Sequence, residues 1–143
     1  MTNQHTSLSV GRSGELLALA DRVEAATGPD RELDALVAAS QIRAIEKTSF
    51  GAIEAWAAAA ISNRWNFPRF TASLDAAMAL VPQLHTLFHL CGPYSDNRSR
   101  ATIAGGRPVC FYEVTAVTPA LALCAAALRA QATNNTISEE TGR

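Results

Sequence analysis

The stretch from Leu84 to Pro119, LHTLFHLCGPYSDNRSRATIAGGRPVCFYEVTAVTP, decides the fold. Leu84, Thr86, Phe88 and Leu90 alternate with His85, Leu87, His89 and Cys91, the two-residue period of a strand. Gly92 to Asn97 is dense in turn formers. A second strand is predicted from about Arg100 to Ala104, with Gly105-Gly106 as a two-residue hairpin turn. Val109 to Val117, rich in β-branched and aromatic residues, predicts a third strand. Thr118-Pro119 then signals a helix, because Thr caps the first turn and Pro tolerates the position whose N–H has no partner. Leu121, Cys124, Ala125 and Leu128 make its apolar stripe.

The residues before this stretch read as helices. Leu16, Leu19, Ala20 and Val23 share one face of a first helix, predicted to open at Ser13 and to stop at Gly28-Pro29. Asp30 is the expected cap of a second, whose stripe begins at Leu33, Leu36 and Val37 and drifts to Ile42 and Ile45, suggesting a bend near Ser40. Ser49 is the expected cap of a third, carrying Phe50, Ile53, Ala57 and Ile61, with Trp56 off the stripe. Asn66-Phe67-Pro68 breaks the run. A fourth helix, capped by Thr71 or Ser73, carries Leu74, Ala77, Met78 and Val81 and ends at Pro82. The fold class is therefore α+β, a layered α/β sandwich: a helical N-terminal half, then helix, three-stranded antiparallel meander and closing helix. Residues 1–12 and 133–143, polar and without apolar periodicity, are expected to be flexible tails around a single domain over 13–132.

The composition excludes several classes. The chain has 143 residues, 48% hydrophobic and 17% charged, with a net charge of −1. That balance lacks the basic field of a nucleic-acid binder. The α-β-β-β-α order also occurs in double-stranded-RNA-binding domains, but Thr118-Pro119-Ala120-Leu121 offers no lysine where those modules place theirs, so nucleic acid is not the expected partner. No apolar run reaches the roughly 20 residues of a membrane span, and Met1 to Arg12 lacks the apolar core of a signal peptide. Three cysteines, Cys91, Cys110 and Cys124, do not make a disulfide scaffold. The expected setting is the cytoplasm, with reduced thiols.

Catalytic chemistry finds little support. His85, His89 and Cys91 would share a strand face, with Cys110 approaching from the third strand. Strand residues four apart, however, lie roughly 13 Å from each other, too far to hold one zinc ion. His89 and Cys91 would stand about 7 Å apart, beyond the reach of a nucleophile–base pair. Gly105-Gly106-Arg107 lacks the strand–loop–helix setting of a phosphate cradle. No metal, cofactor or catalytic residue is assigned, and an enzyme is not expected.

Three stretches, in order, carry a resemblance. They are Asp30 to Ala38 (DRELDALVA), Phe70 to Pro82 (FTASLDAAMALVP) and Thr118 to Ala130 (TPALALCAAALRA). Together they resemble small phage and prophage proteins of the phage ABA sandwich type. The resemblance implies a phage or prophage origin and an α/β layered fold. It implies no activity and supplies no catalytic residues. The segment from about Ser40 to Asn66 departs from the pattern as an inserted helix.

The functional expectation is accordingly a non-enzymatic phage accessory protein that binds a host or phage protein, and that could inhibit a host factor, a defence factor included. The insert offers Trp56, Trp65 and Arg64 as the candidate interaction surface, since Trp and Arg are favoured at interface hot spots. The alternative is a small-ligand or nucleotide binder, its pocket between sheet and helices lined by Tyr94, Arg98, Arg100 and Tyr112. A homodimer through the helical first half is the further expectation, because that half carries surplus apolar surface.

Overall fold

A computed structural model describes residues 3–42, 52–92 and 96–141 of the chain. The elements run α1 (Asn3–Ala25), α2 (Arg31–Ser40), α3 (Ala52–Ser62), α4 (Leu74–Met78), β1 (His85–Cys91), β2 (Ser99–Gly105), β3 (Cys110–Ala116) and α5 (Pro119–Thr141). The class is α+β, with the meander between helices as expected from the sequence.

The layers are built around α5. Its residues from Ala120 to Leu128 are all buried. One side lies on β2 and β3, and the other meets α1 and α4. A helix covered all round must be apolar all round, and this one alternates Leu with runs of Ala, so its neighbours approach closely. Thr118 caps it as predicted, its Oγ1 accepting the Leu121 N–H at 3.2 Å. Arg129 ties it to α1 through Asp21 at 2.6 Å and Glu24 at 2.7 Å. Burial works against the guanidinium charge, but these two carboxylates prevail and raise its pKa.

The other caps follow the same logic. Asp30 accepts the N–H groups of Glu32 and Leu33 at the start of α2. Ser73, rather than Thr71, caps α4 by accepting the Ala76 N–H. Leu33, Leu36 and Val37 are buried as expected. The drift of that stripe has a simple cause: α2 ends at Ser40, with Gln41 as its closing residue. The expected cap Ser49, with Phe50 and Ile45, falls outside the described residues.

Several boundaries differ from expectation. α1 starts at Asn3 rather than Ser13, and α5 continues to Thr141, so the two predicted tails are largely helical. Neither stretch contains Pro, and once a helix is nucleated each added residue costs little. α4 is a short helix in which only Ala77 is buried, while Leu74 and Met78 are exposed. The neighbouring core positions are taken by Phe70 and Leu80 instead.

The sheet has the order β1-β2-β3, antiparallel throughout. Gly105 does not turn the chain. It is the last residue of β2, opposite both His85 and Cys110, and the turn occupies 106–109. Pro108 has no N–H to give a ladder, so β3 begins only at Cys110. Gly105 is required by a close approach: a Cβ there would stand 2.6 Å from His85 Cα and from the Leu84 carbonyl oxygen. A one-residue irregularity in β1, between Leu87 and His89, leaves Phe88 without a partner on β2. This bulge reverses the pleat beyond it. Leu87 and Leu90 both pack on the core, and His85 and His89 no longer share a face.

Two measurements test this architecture. Leu128→Ala should lower stability by about 2–5 kcal/mol, and Thr118→Ala by about 1 kcal/mol, read from denaturant midpoints. Gly105→Ala should cost about 1–3 kcal/mol, because β1 must shift to admit a methyl group. A silent Gly105→Ala would contradict the observed register.

Candidate functional site

Two surfaces of the molecule have the makings of a binding site. The first grows from the end of α3. The helix closes with the Trp65 N–H donating to Ala60 O at 2.8 Å and the Arg64 N–H to Ile61 O at 3.2 Å. This double bond pattern needs a left-handed residue at the closing position, normally Gly. Arg64 occupies it, with φ of 56°. The turn throws Trp65 back against Trp56, ring centroids 5.6 Å apart, and Trp56 also meets Phe67 at 6.4 Å. Trp56 is half-buried under this cover, whereas Trp65 remains 45% exposed. The structure thus brings together Trp56, Trp65 and Arg64. It adds Phe67 and Arg31, whose guanidinium stacks 3.8 Å from the Phe67 ring centre.

Arg31 is held by a buried polar knot that the sequence reading did not single out. Asp34 is buried, and its Oδ1 accepts both the Thr71 N–H at 2.8 Å and the Thr71 hydroxyl at 2.7 Å. Thr71 Oγ1 in turn accepts the Asp30 N–H at 2.9 Å. Asp34 Oδ2 takes Arg31 at 3.1 Å, and Arg31 also donates to the carbonyls of Phe67 and Pro68. The clue lies in the sequence: an Asp inside the run Leu33-Asp34-Ala35-Leu36-Val37 must find partners if it is to be buried.

The second surface is the sheet face turned away from α5. Thr86, His89, Phe111 and Glu113 are exposed there. Phe88 and Phe111, 67% and 62% exposed, meet edge to face at 5.6 Å, although they belong to opposite edge strands. Ala104, the strand-centre partner of Phe111, is small enough to let them close over β2. Leu84 and Val109, 84% and 64% exposed, flank the same end of the sheet. The sequence places Leu84, Phe88 and Val109 in strands but marks none of the four as a site residue. Alternation alone puts Phe88 on the face of Thr86; the bulge adds His89 to that face and turns Leu90 to the core, a switch that leaves no mark in an alternating pattern.

The predicted sheet pocket is not assembled. Tyr94 lies outside the described residues. Arg98 donates to Thr115 O at 3.0 Å, and Arg100 pairs with Glu113 at 3.0 Å on the open face. Tyr112 occupies the opposite face, its ring 6.2 Å from that of His85. Burial raises the Tyr112 pKa, with Thr133 opposing and Cys110 adding to the shift. One concavity lies between helices, lined by Leu19, Arg22, Leu36 and Glu54 among others. Cys91 and Cys110 stand at opposite ends of the sheet, so Cys110 does not approach the Cys91 end. Among the described residues no three His, Cys, Asp or Glu side chains gather to hold a metal ion. No helix among them is long and apolar enough to cross a membrane.

Comparison with protein-family models, with curated proteins and with solved structures finds no match for this chain.

Cys124 gives a chemical check on the core. Its thiol is pushed up to about 12 from the ordinary 9.0, first by burial and then by the charge of Asp34. The raised value means that the neutral thiol is the form the fold accepts. Its contribution to stability is complete below pH 9.0 and is lost as pH rises towards about 12. The denaturant midpoint should therefore fall over that window, and fall less steeply in Cys124→Ala. A thiol reagent applied to the native protein should label the half-buried Cys91 and Cys110 well before Cys124.

Proposed function

We propose that this protein acts by binding another protein, without catalysing a reaction, and that the open sheet face is where the partner docks. The observation that carries this reading is the exposed pair Phe88–Phe111. Two aromatic side chains held together in water are costly in a monomer and are typical of interface centres. The flanking Leu84 and Val109 widen the apolar area. The Arg100–Glu113 pair supplies a polar border with its charges already matched. Such a face suits an apolar protein surface better than a phosphate backbone, in keeping with the net charge of −1.

The resemblance noted in the sequence extends the proposal. It makes the protein a phage or prophage accessory factor working in the cytoplasm of a bacterial host. Its partner would then be a host or phage protein, and inhibition of a host defence factor is one form the binding could take. A second copy of the chain is the simplest partner to test.

The test compares the wild type with a Phe88→Ser, Phe111→Ser double variant. Both side chains are largely solvent-exposed, so the melting temperature should change little. Light scattering of the purified chain and affinity capture from host lysate are run on both. The reading expects an association, with itself or with a defined partner, that the double variant loses. An association that the variant keeps unchanged would overturn the assignment of the sheet face. Native mass spectrometry showing a co-purifying small molecule in place of a protein would overturn the function.

A further inference from the structure

A different surface, independent of the sheet face, carries its own chemistry. At the end of α3 an open groove is lined by Arg31, Ile61, Arg64, Trp65 and Phe67. Among the described residues no carboxylate lines it, and Glu32 and Glu54 lie in the neighbouring groove that shares Ile61. The Arg31 charge is matched by Asp34 at 3.1 Å and its donors are further engaged by the Phe67 and Pro68 carbonyls. Arg64 has no ion-pair partner among the described residues. The groove therefore offers one uncompensated guanidinium beside an exposed indole and the exposed side chain of Ile61.

The position of Arg64 sharpens the point. Its left-handed backbone, φ of 56°, is the closing conformation at which Gly is the favoured residue and any side chain is a cost. The backbone gains nothing from Arg here. What Arg adds is its charge and its five donors at the rim of the groove.

We infer that this groove binds an acidic segment of a protein partner, with a carboxylate paired to Arg64 and an adjacent apolar side chain laid against Trp65 and Ile61. The single uncompensated charge favours one carboxylate over a nucleic-acid strand, which presents a charge at every phosphate and calls for a basic track. The planar guanidinium matches the two oxygens of a carboxylate.

The probe is a random peptide library displayed on a carrier and panned against the full-length chain, followed by affinity measurement on the enriched peptides. Enriched sequences should share an Asp or Glu next to an aliphatic or aromatic residue. Replacing that acid by its amide should weaken binding about tenfold, and added salt should weaken the acidic peptides more than the amide forms. Arg64→Gly removes the charge and supplies the residue the turn prefers. It should lose the same binding while the melting temperature stays level or rises. Phe111→Ser should leave it intact, which separates this groove from the sheet face. Enrichment without acidic residues, or affinity unchanged in Arg64→Gly, would overturn the inference. Tighter binding of a single-stranded oligonucleotide than of any acidic peptide would also overturn it.

Discussion

Everything in this molecule leans on one helix that water does not reach. From Ala120 to Leu128, α5 is covered on one side by β2 and β3 and on the other by α1 and α4. A helix in that position has no polar face with which to orient itself. Its placement has to come from shape and from a few polar anchors. The shape comes from Leu121, Leu123 and Leu128 set among alanines, all buried. The anchors are the Thr118 cap at the start and, in mid-helix, Arg129, whose two carboxylate partners on α1 lie at 2.6 and 2.7 Å. Gln131 continues the clamp by donating to Leu80 O at 2.7 Å.

The helical half is secured differently. Its α2 and α3 are short and rich in alanine, so each buries little area. The link between α2 and the segment that follows α3 is polar. Asp34 and Thr71 are buried, and Arg31 links them to the carbonyls of Phe67 and Pro68 at the surface. Breaking such a knot on one side leaves a buried carboxylate without partners, which is costlier than losing an apolar contact. The same knot fixes Phe67 under Arg31 and so sets the floor on which Trp56 and Trp65 stand.

Much of this was legible in the residues. Asp30, Ser73 and Thr118 act as caps because their side chains satisfy N–H groups of the first turn, a local rule that needs no tertiary information. The apolar stripes of α1, α2 and α5 lie where their spacing places them. Two things could not be read. The bulge at Phe88 inverts the faces of β1 beyond it, and alternation alone cannot register one inserted residue. The glycine pair looked like a turn because Gly permits one, yet Gly105 is there to let His85 pass. Of the candidate site, Trp65 meets Trp56 because the helix-closing turn at Arg64 folds the chain back on α3. Arg100 and Tyr112 separate because they fall on opposite faces of paired strands.

The edges of the sheet bear on how this chain behaves in a crowded solution. A three-stranded sheet with an apolar face and two open borders is a template for fibre growth. Here neither border is left plain. β1 is interrupted in mid-strand where Phe88 bulges out, and part of α1 comes near β3. The bulge at Phe88 spoils the straight run of N–H and C=O groups that an incoming strand would need. The chain thus exposes apolar side chains on a sheet whose β1 border is a poor template for strand addition.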